Sequence, residues 1–216
     1  APIGAMSDYN GLSLERYGIS VLPSVSLMQS DFPASVRRPT IAMGVSEFET
    51  EQPLPAVPIE LDVVKSTVPV SQTLLNESTT SEALAAIKAL EQPGVLHLAT
   101  HASFDTRSPE SSAIELWDGP LSMREFSDLD WRESNLELLI LSACSTAMSS
   151  HNAELGFAGL AAAAGVDATV GSLWQVSDIG TLALMSEFYA QLESTPLRFE
   201  ALRQAQLSLL NKETRN

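Results

Sequence analysis

The chain has 216 residues, 44% hydrophobic and 18% charged, enough for one sizeable core or two small ones, and one domain with elaborations is the expected organisation. Twelve basic against 27 acidic residues leave a formal charge of −15, which argues against partners such as nucleic acid or an anionic membrane surface. No run of about 18 apolar residues suggests a membrane span, and a single cysteine, Cys144, cannot close an internal disulfide, so its thiol is either inert core or chemistry.

The opening APIGAMSDYNG has neither the charged nor the apolar region of a signal peptide and does not begin with Met. A cytoplasmic fragment of a longer protein is the expectation. YGISVLPSVSLM (17 to 28) leans towards strand, with Pro23 tolerated only at an edge or end. TIAMGVSEF (40 to 48) is the next strand candidate. Three prolines between Gln52 and Pro58 mark a loop, after which PIELDVVKSTV spaces Ile59, Val63 and Val64 on one helical face, with Pro58 in its first turn. TLLN (73 to 76) is a short strand, and TTSEALAAIKAL is an amphipathic helix capped by Ser81 or a neighbouring Thr. Pro93 and Gly94 end it, and VLHLATH follows at once, a β-α-β unit that calls for a parallel sheet.

Beyond His101 a polar loop leads to AIELWDG (113 to 119), a strand ending in a turn, and to PLSMREFSDL, a short helix. LELLILSAC is a second fully buried strand. ELGFAGLAAAAGV (154 to 166) reads as a small-residue helix stopped by Gly165, and DATVGSLW (167 to 174) as a third buried strand. SDIGTLALMSEFYAQL opens with Ser177 and Asp178 as N-cap candidates. The final helix, PLRFEALRQAQLSLL, has Pro196 near its first turn and apolar positions at 197, 202, 209 and 210.

Two of these strands end in chemistry. VLHLATH delivers His101, and LELLILSAC delivers Cys144, each where burial gives way to polar residues. A crossover of roughly thirty-five residues is ample for a parallel connection. If the strands are neighbours, their carboxyl ends stand about 5 Å apart at the edge where open α/β sheets bind ligands. His97 and His101 form an HxxxH pair, which would bind a metal on a helix. On a strand the two stand roughly 13 Å apart, so no metal and no cofactor are expected, and His97 is expected to pack or hydrogen-bond inside. A lone cysteine is commonly buried and inert, but this one closes its strand between Ser142 and Thr146.

HLATHASFD (97 to 105), LWDGPLSMREF (116 to 126), LLILSACSTA (138 to 147), ELGFAGLAAAAGV (154 to 166), VGSLWQVSD (170 to 178) and ALRQAQLSLL (201 to 210) resemble the CHAT domain family. These are caspase-like domains, related to caspases and separase and often found with tetratricopeptide repeats. PSVSLM (23 to 28) is similar to the family's upstream strand. The resemblance implies a caspase-like three-layer α/β sandwich with a mostly parallel sheet, spanning the chain, with 71 to 210 as the core and 1 to 70 as the N-terminal part. It implies a cysteine endopeptidase with a Cys144–His101 dyad, an oxyanion hole of the Ala102 and Cys144 backbone N–H groups, and a protein or peptide substrate. Regulatory or tetratricopeptide-repeat segments outside this chain are implied as further partners.

Asp178, just after SLWQV, is the candidate for binding a basic substrate residue, unless it caps the following helix. Glu154 and Asp105 are near enough in sequence to share that role. Two departures stand out: Ala102 where the family usually has Gly, and Thr146, Ala147, Met148 where its loop commonly reads Thr then Gly. The methyl group of Ala102 restricts φ and could crowd a substrate. These departures favour an alternative, a weak or inactive domain serving as a protein–protein interaction or regulatory module.

Overall fold

A computed structural model describes residues 6–8, 11–20, 39–90, 93–103, 108, 112–134, 136–142, 159–172, 176–195 and 197–213. In chain order its elements are β1 (Ser7–Asp8), β2 (Gly11–Leu12), α1 (Ser13–Arg16), β3 (Thr40–Gly44), α2 (Val57–Thr67), β4 (Val70–Leu75), α3 (Ser81–Leu90) and β5 (Val95–Ala99). There follow β6 (Ala102–Ser103), β7 (Ala113–Leu116), β8 (Gly119–Ser122), α4 (Met123–Asp128), β9 (Leu138–Leu141), β10 (Thr169–Gly171), α5 (Asp178–Ser194) and α6 (Arg198–Glu213). Residues 159–163 are also helical.

Five strands form one sheet in the order β10-β9-β5-β3-β4, every neighbouring pair parallel. Its three inner strands are buried along their whole length, which is why they read as continuous apolar runs rather than alternating ones. The period of two still sorts their side chains. Ile41, Met43, Leu96, Leu98, Leu139 and Leu141 pack with Leu84, Ile87, Phe126, Trp131 and Ala161 on one face. Ala42, Val95, Ala99, Leu138 and Ile140 pack with Leu61, Val64, Met185, Phe188, Ala201 and Ala205 on the other. Burying each large side chain contributes roughly 1.5–3 kcal/mol. The outcome is the caspase-like three-layer α/β sandwich: α3, α4 and helix 159–163 on one side, α2, α5 and α6 on the other. Among the described residues no helix is long and apolar enough to cross a membrane.

Most elements fall where the sequence places them, and the exceptions are instructive. Pro120, Leu121 and Ser122 belong to strand β8, paired antiparallel with β7 across a two-residue turn at Trp117 and Asp118, not to the helix that follows. That helix starts at Met123, because Ser122 accepts the Glu125 N–H and Glu125 bonds back to the Ser122 N–H, closing a capping box. The leucines of α6 are not its innermost positions. Ala201 and Ala205 are fully buried, whereas Leu210, and Leu197 just before the helix, are 37% and 38% exposed, since the helix docks on its small side chains. In the 17 to 28 strand candidate, residues 17–20 have no regular structure, and the remainder lies outside the described residues.

Candidate functional site

The site lies at the carboxyl ends of three adjacent parallel strands. Along β5 and β9, Val95 pairs with Leu138, Leu96 with Leu139, His97 with Ile140 and Leu98 with Leu141. The ladder runs one residue further, with the Ser142 N–H donating to the Leu98 carbonyl at 3.1 Å. On the other flank of β5, Gly44 of β3 pairs with Ala99, and the Val45 N–H donates to the Ala99 carbonyl at 3.0 Å. Gly44 suits this position because a Cβ there would stand 2.6 Å from Val57 Cγ1 and 3.1 Å from the Ala99 carbonyl. Its lack of a side chain lets α2 settle against the end of the sheet.

His101 emerges two residues past β5 and is held on several sides. Its carbonyl accepts the Glu115 N–H at 2.8 Å, and the neighbouring Thr100 hydroxyl donates to the Glu115 carbonyl at 2.6 Å, so one β7 residue clamps the chain as it leaves the sheet. The ring packs 4.6 Å from the ring of Phe48. His101 Nε2 lies 2.7 Å from the Gln52 carbonyl. A carbonyl can only accept, so Nε2 carries the proton, and in the neutral ring Nδ1 holds the lone pair. The partner of the His101 ring is thus the main-chain oxygen of Gln52, which leaves no trace in residue identity. What signal there was lies in strand order: once β3 and β5 are neighbours, the segment after Gly44 must run beside the segment after Ala99.

The electrostatics around the ring are acidic. Partial burial pushes the Glu115 carboxyl above its ordinary range, the negative charge of Glu51 pushes it in the same direction, and His101 pulls it back.

Ala102 lies in β6, paired antiparallel with β7 as Ala102 with Ile114 and Ser103 with Ala113. The Glu115 N–H to His101 carbonyl bond flanks the Ala102–Ile114 pair, which is therefore of the kind that exchanges no hydrogen bonds of its own. The Ala102 N–H consequently points away from β7. Its methyl group is 6% exposed and packs in the core with Leu98, Ile114 and Leu121, so an alanine is accommodated in extended backbone without a demand for glycine.

Of the other sequence candidates, Cys144, Asp105 and Glu154 lie outside the described residues. Asp178 opens α5 but does not cap it. Ser177 is the cap, accepting the Gly180 N–H at 3.0 Å. Asp178 Oδ2 instead accepts the Ala56 N–H at the start of α2, at 2.7 Å. His97 points into the other layer, as expected of an interior histidine. Its Nδ1 is 3.0 Å from the Tyr189 hydroxyl, and its Nε2 is 3.0 Å from Glu60 Oε1. The latter contact has ion-pair distance but misses the angle of a hydrogen bond, leaving both atoms buried without one.

Comparison with known proteins adds family membership. No curated protein matches the sequence. Among solved structures, the crystal structure of protein GSU0716 from Geobacter sulfurreducens is 16% identical, with 50% of each chain covered and a TM-score of 0.33. That superposition is too loose to bear on fold or function. The model of the CHAT domain matches residues 1–216, the whole chain. The chain belongs to the CHAT domain family.

Proposed function

We propose that the protein is a cysteine endopeptidase of the caspase-like type, with Cys144 as nucleophile and His101 as its acid–base partner. The observation that carries this reading is the β5–β9 register. Leu98 pairs with Leu141 at the carboxyl end of the ladder, and His101 and Cys144 each follow three residues later in the sequence, which supports reading them as partners. The protonated Nε2 of His101 is engaged by Gln52, which leaves Nδ1 as the nitrogen for chemistry.

In the forward step the Cys144 thiolate adds to the peptide carbonyl carbon. The resulting oxyanion is held by backbone N–H groups, for which Ala102 and Cys144 are the candidates. The tetrahedral species collapses as the C–N bond breaks, and the imidazolium of His101 gives its proton to the leaving amine. Water, deprotonated by His101, then adds to the thioester carbonyl and the C–S bond breaks, releasing the acid product and restoring the thiolate–imidazolium pair.

Incubation with a library of thiol-reactive peptide warheads, comparing wild type with Cys144→Ala and His101→Ala, tests the reading. Rapid labelling of the wild type, abolished by Cys144→Ala and slowed at least about 100-fold by His101→Ala, is expected, in line with the usual contribution of general acid–base catalysis. Labelling no faster than a simple thiol, with no cleavage in peptide mixtures, would sink it in favour of an interaction module. The fit of Ala102 into β6 weakens the main argument for that alternative.

A further inference from the structure

We infer that Asp178 is a positioning residue for His101, acting through the segment 52–57 and not through contact with substrate. The catalytic consequence rests on the dyad reading above, whereas the mechanical link is independent of it. The link is short and can be followed bond by bond. Asp178 Oδ2 accepts the Ala56 N–H at 2.7 Å. The Val57 N–H donates to the Leu54 carbonyl at 3.1 Å, and the Leu54 N–H donates to the Ser46 carbonyl at 2.9 Å. The Ser46 N–H is in turn anchored on Asn76 Oδ1 at 2.8 Å. Two residues before Leu54, the Gln52 carbonyl meets His101 Nε2 at 2.7 Å, and Phe48, four residues further back, packs on the ring.

Two features make this segment transmit position. Pro53 and Pro55 fix φ at two of its positions, and Pro58 does the same in the first turn of α2. Leu54, Ala56 and Val57 are buried, at 8%, 5% and 0% exposure, so the segment is seated in the core at its far end. Moving Asp178 therefore moves the start of α2, and with it the oxygen that orients the imidazole.

The single cysteine makes the test clean, since alkylation can report only Cys144. Two readouts are taken on the whole chain: the pH profile of iodoacetamide alkylation, and the 15N NMR signature of the His101 tautomer. Asp178→Ala removes the acceptor, Asp178→Asn keeps an acceptor oxygen but removes the charge, and His101→Ala sets the floor. Asp178→Leu likewise offers no acceptor but keeps the bulk of the side chain, and carries the test should Asp178→Ala not fold.

Expected are loss of the Nε2–H signature and about tenfold slower alkylation near pH 6 in Asp178→Ala and Asp178→Leu, the profile moving towards the ~8.5 of a free thiol. Asp178→Asn is expected to restore the wild-type profile. A His101 signature unchanged in Asp178→Ala, or Asn and Ala variants behaving alike, overturns the inference; the second outcome assigns the role to charge, as substrate recognition would require. If wild type itself alkylates as a free thiol and His101→Ala changes nothing, the dyad reading fails. The inference is then decided by NMR alone: a signature lost in Ala and kept in Asn sustains it, and one kept in both overturns it.

Discussion

A carbonyl oxygen has no proton to give, and at the scale of the residue that fact orients His101. The Gln52 carbonyl fixes the Nε2–H tautomer and is itself uncharged. Charge enters instead through Glu115, whose carboxyl is raised above its ordinary range by burial and by Glu51. The sign follows from linkage: a carboxyl raised in the folded state ionises more readily in the unfolded chain, so folding loses stability as pH rises through the carboxylate range. Glu115→Gln is therefore expected to stabilise the protein at pH 7, by about half a kcal/mol given the screening of a largely solvated group. The gain should vanish below the ordinary carboxylate range. Thermal unfolding of the two proteins across pH 3 to 8 checks both the sign and the window, and a stability difference that grows on acidification would count against it.

At the scale of elements, boundaries are set by local bonds. The helix through 159–163 ends because Gly165 takes φ +98°, with the Gly165 N–H donating to Ala162 and the Val166 N–H to Ala161, a Schellman pair. Tertiary contact adds a second constraint. A Cβ on Gly165 would stand 2.4 Å from the Arg132 backbone nitrogen, next to the bond by which the Trp131 N–H reaches the Ala164 carbonyl at 2.7 Å. Gly165→Ala should cost at least about 2 kcal/mol, the left-handed penalty plus displacement of backbone. Differential scanning calorimetry should then show a melting temperature lower by at least about 4 °C. A neighbouring cap is shared between elements. Thr80 Oγ1 accepts the Ala83 N–H, while Asp118 from the β7–β8 turn accepts from both the N–H and the hydroxyl of Ser81. Burial pushes the Asp118 carboxyl up, but these bonds outweigh it and hold it below the usual range.

At the scale of the whole molecule, the layer of α2, α5 and α6 is tied to the sheet by a buried polar group as well as by packing. His97 of β5 meets Tyr189 of α5 and Glu60 of α2, all three essentially without solvent contact. Burial foremost, and then the Glu60 charge, hold the Tyr189 phenol well above its ordinary range, so it stays neutral and able to share a proton with His97. Tyr189→Phe keeps the ring against Phe188 but leaves His97 Nδ1 buried without that partner. We expect a loss of about 1–3 kcal/mol, read as a lower urea midpoint with an unchanged slope. A midpoint within error of wild type would show that the hydroxyl contributes nothing to holding the layers together.

Much of this architecture was legible in the order of residues. Continuous apolar runs identified the inner strands of the parallel sheet, although β10, read as buried, is an edge strand only partly covered; the β-α-β spacing identified the sheet, and the endings of two runs singled out His101 and Cys144, because burial and strand polarity are local consequences of side-chain type. The family motifs likewise fall in contiguous stretches. Tertiary structure alone decided which polar atom meets which. That Gln52 gives His101 its partner, that Asp178 bonds Ala56 and not its own helix, and that Ala102 turns its methyl into the core all follow from strand order and helix docking. Such contacts join segments far apart in the chain, several through main-chain groups that every residue shares, so residue identity carries no mark of them.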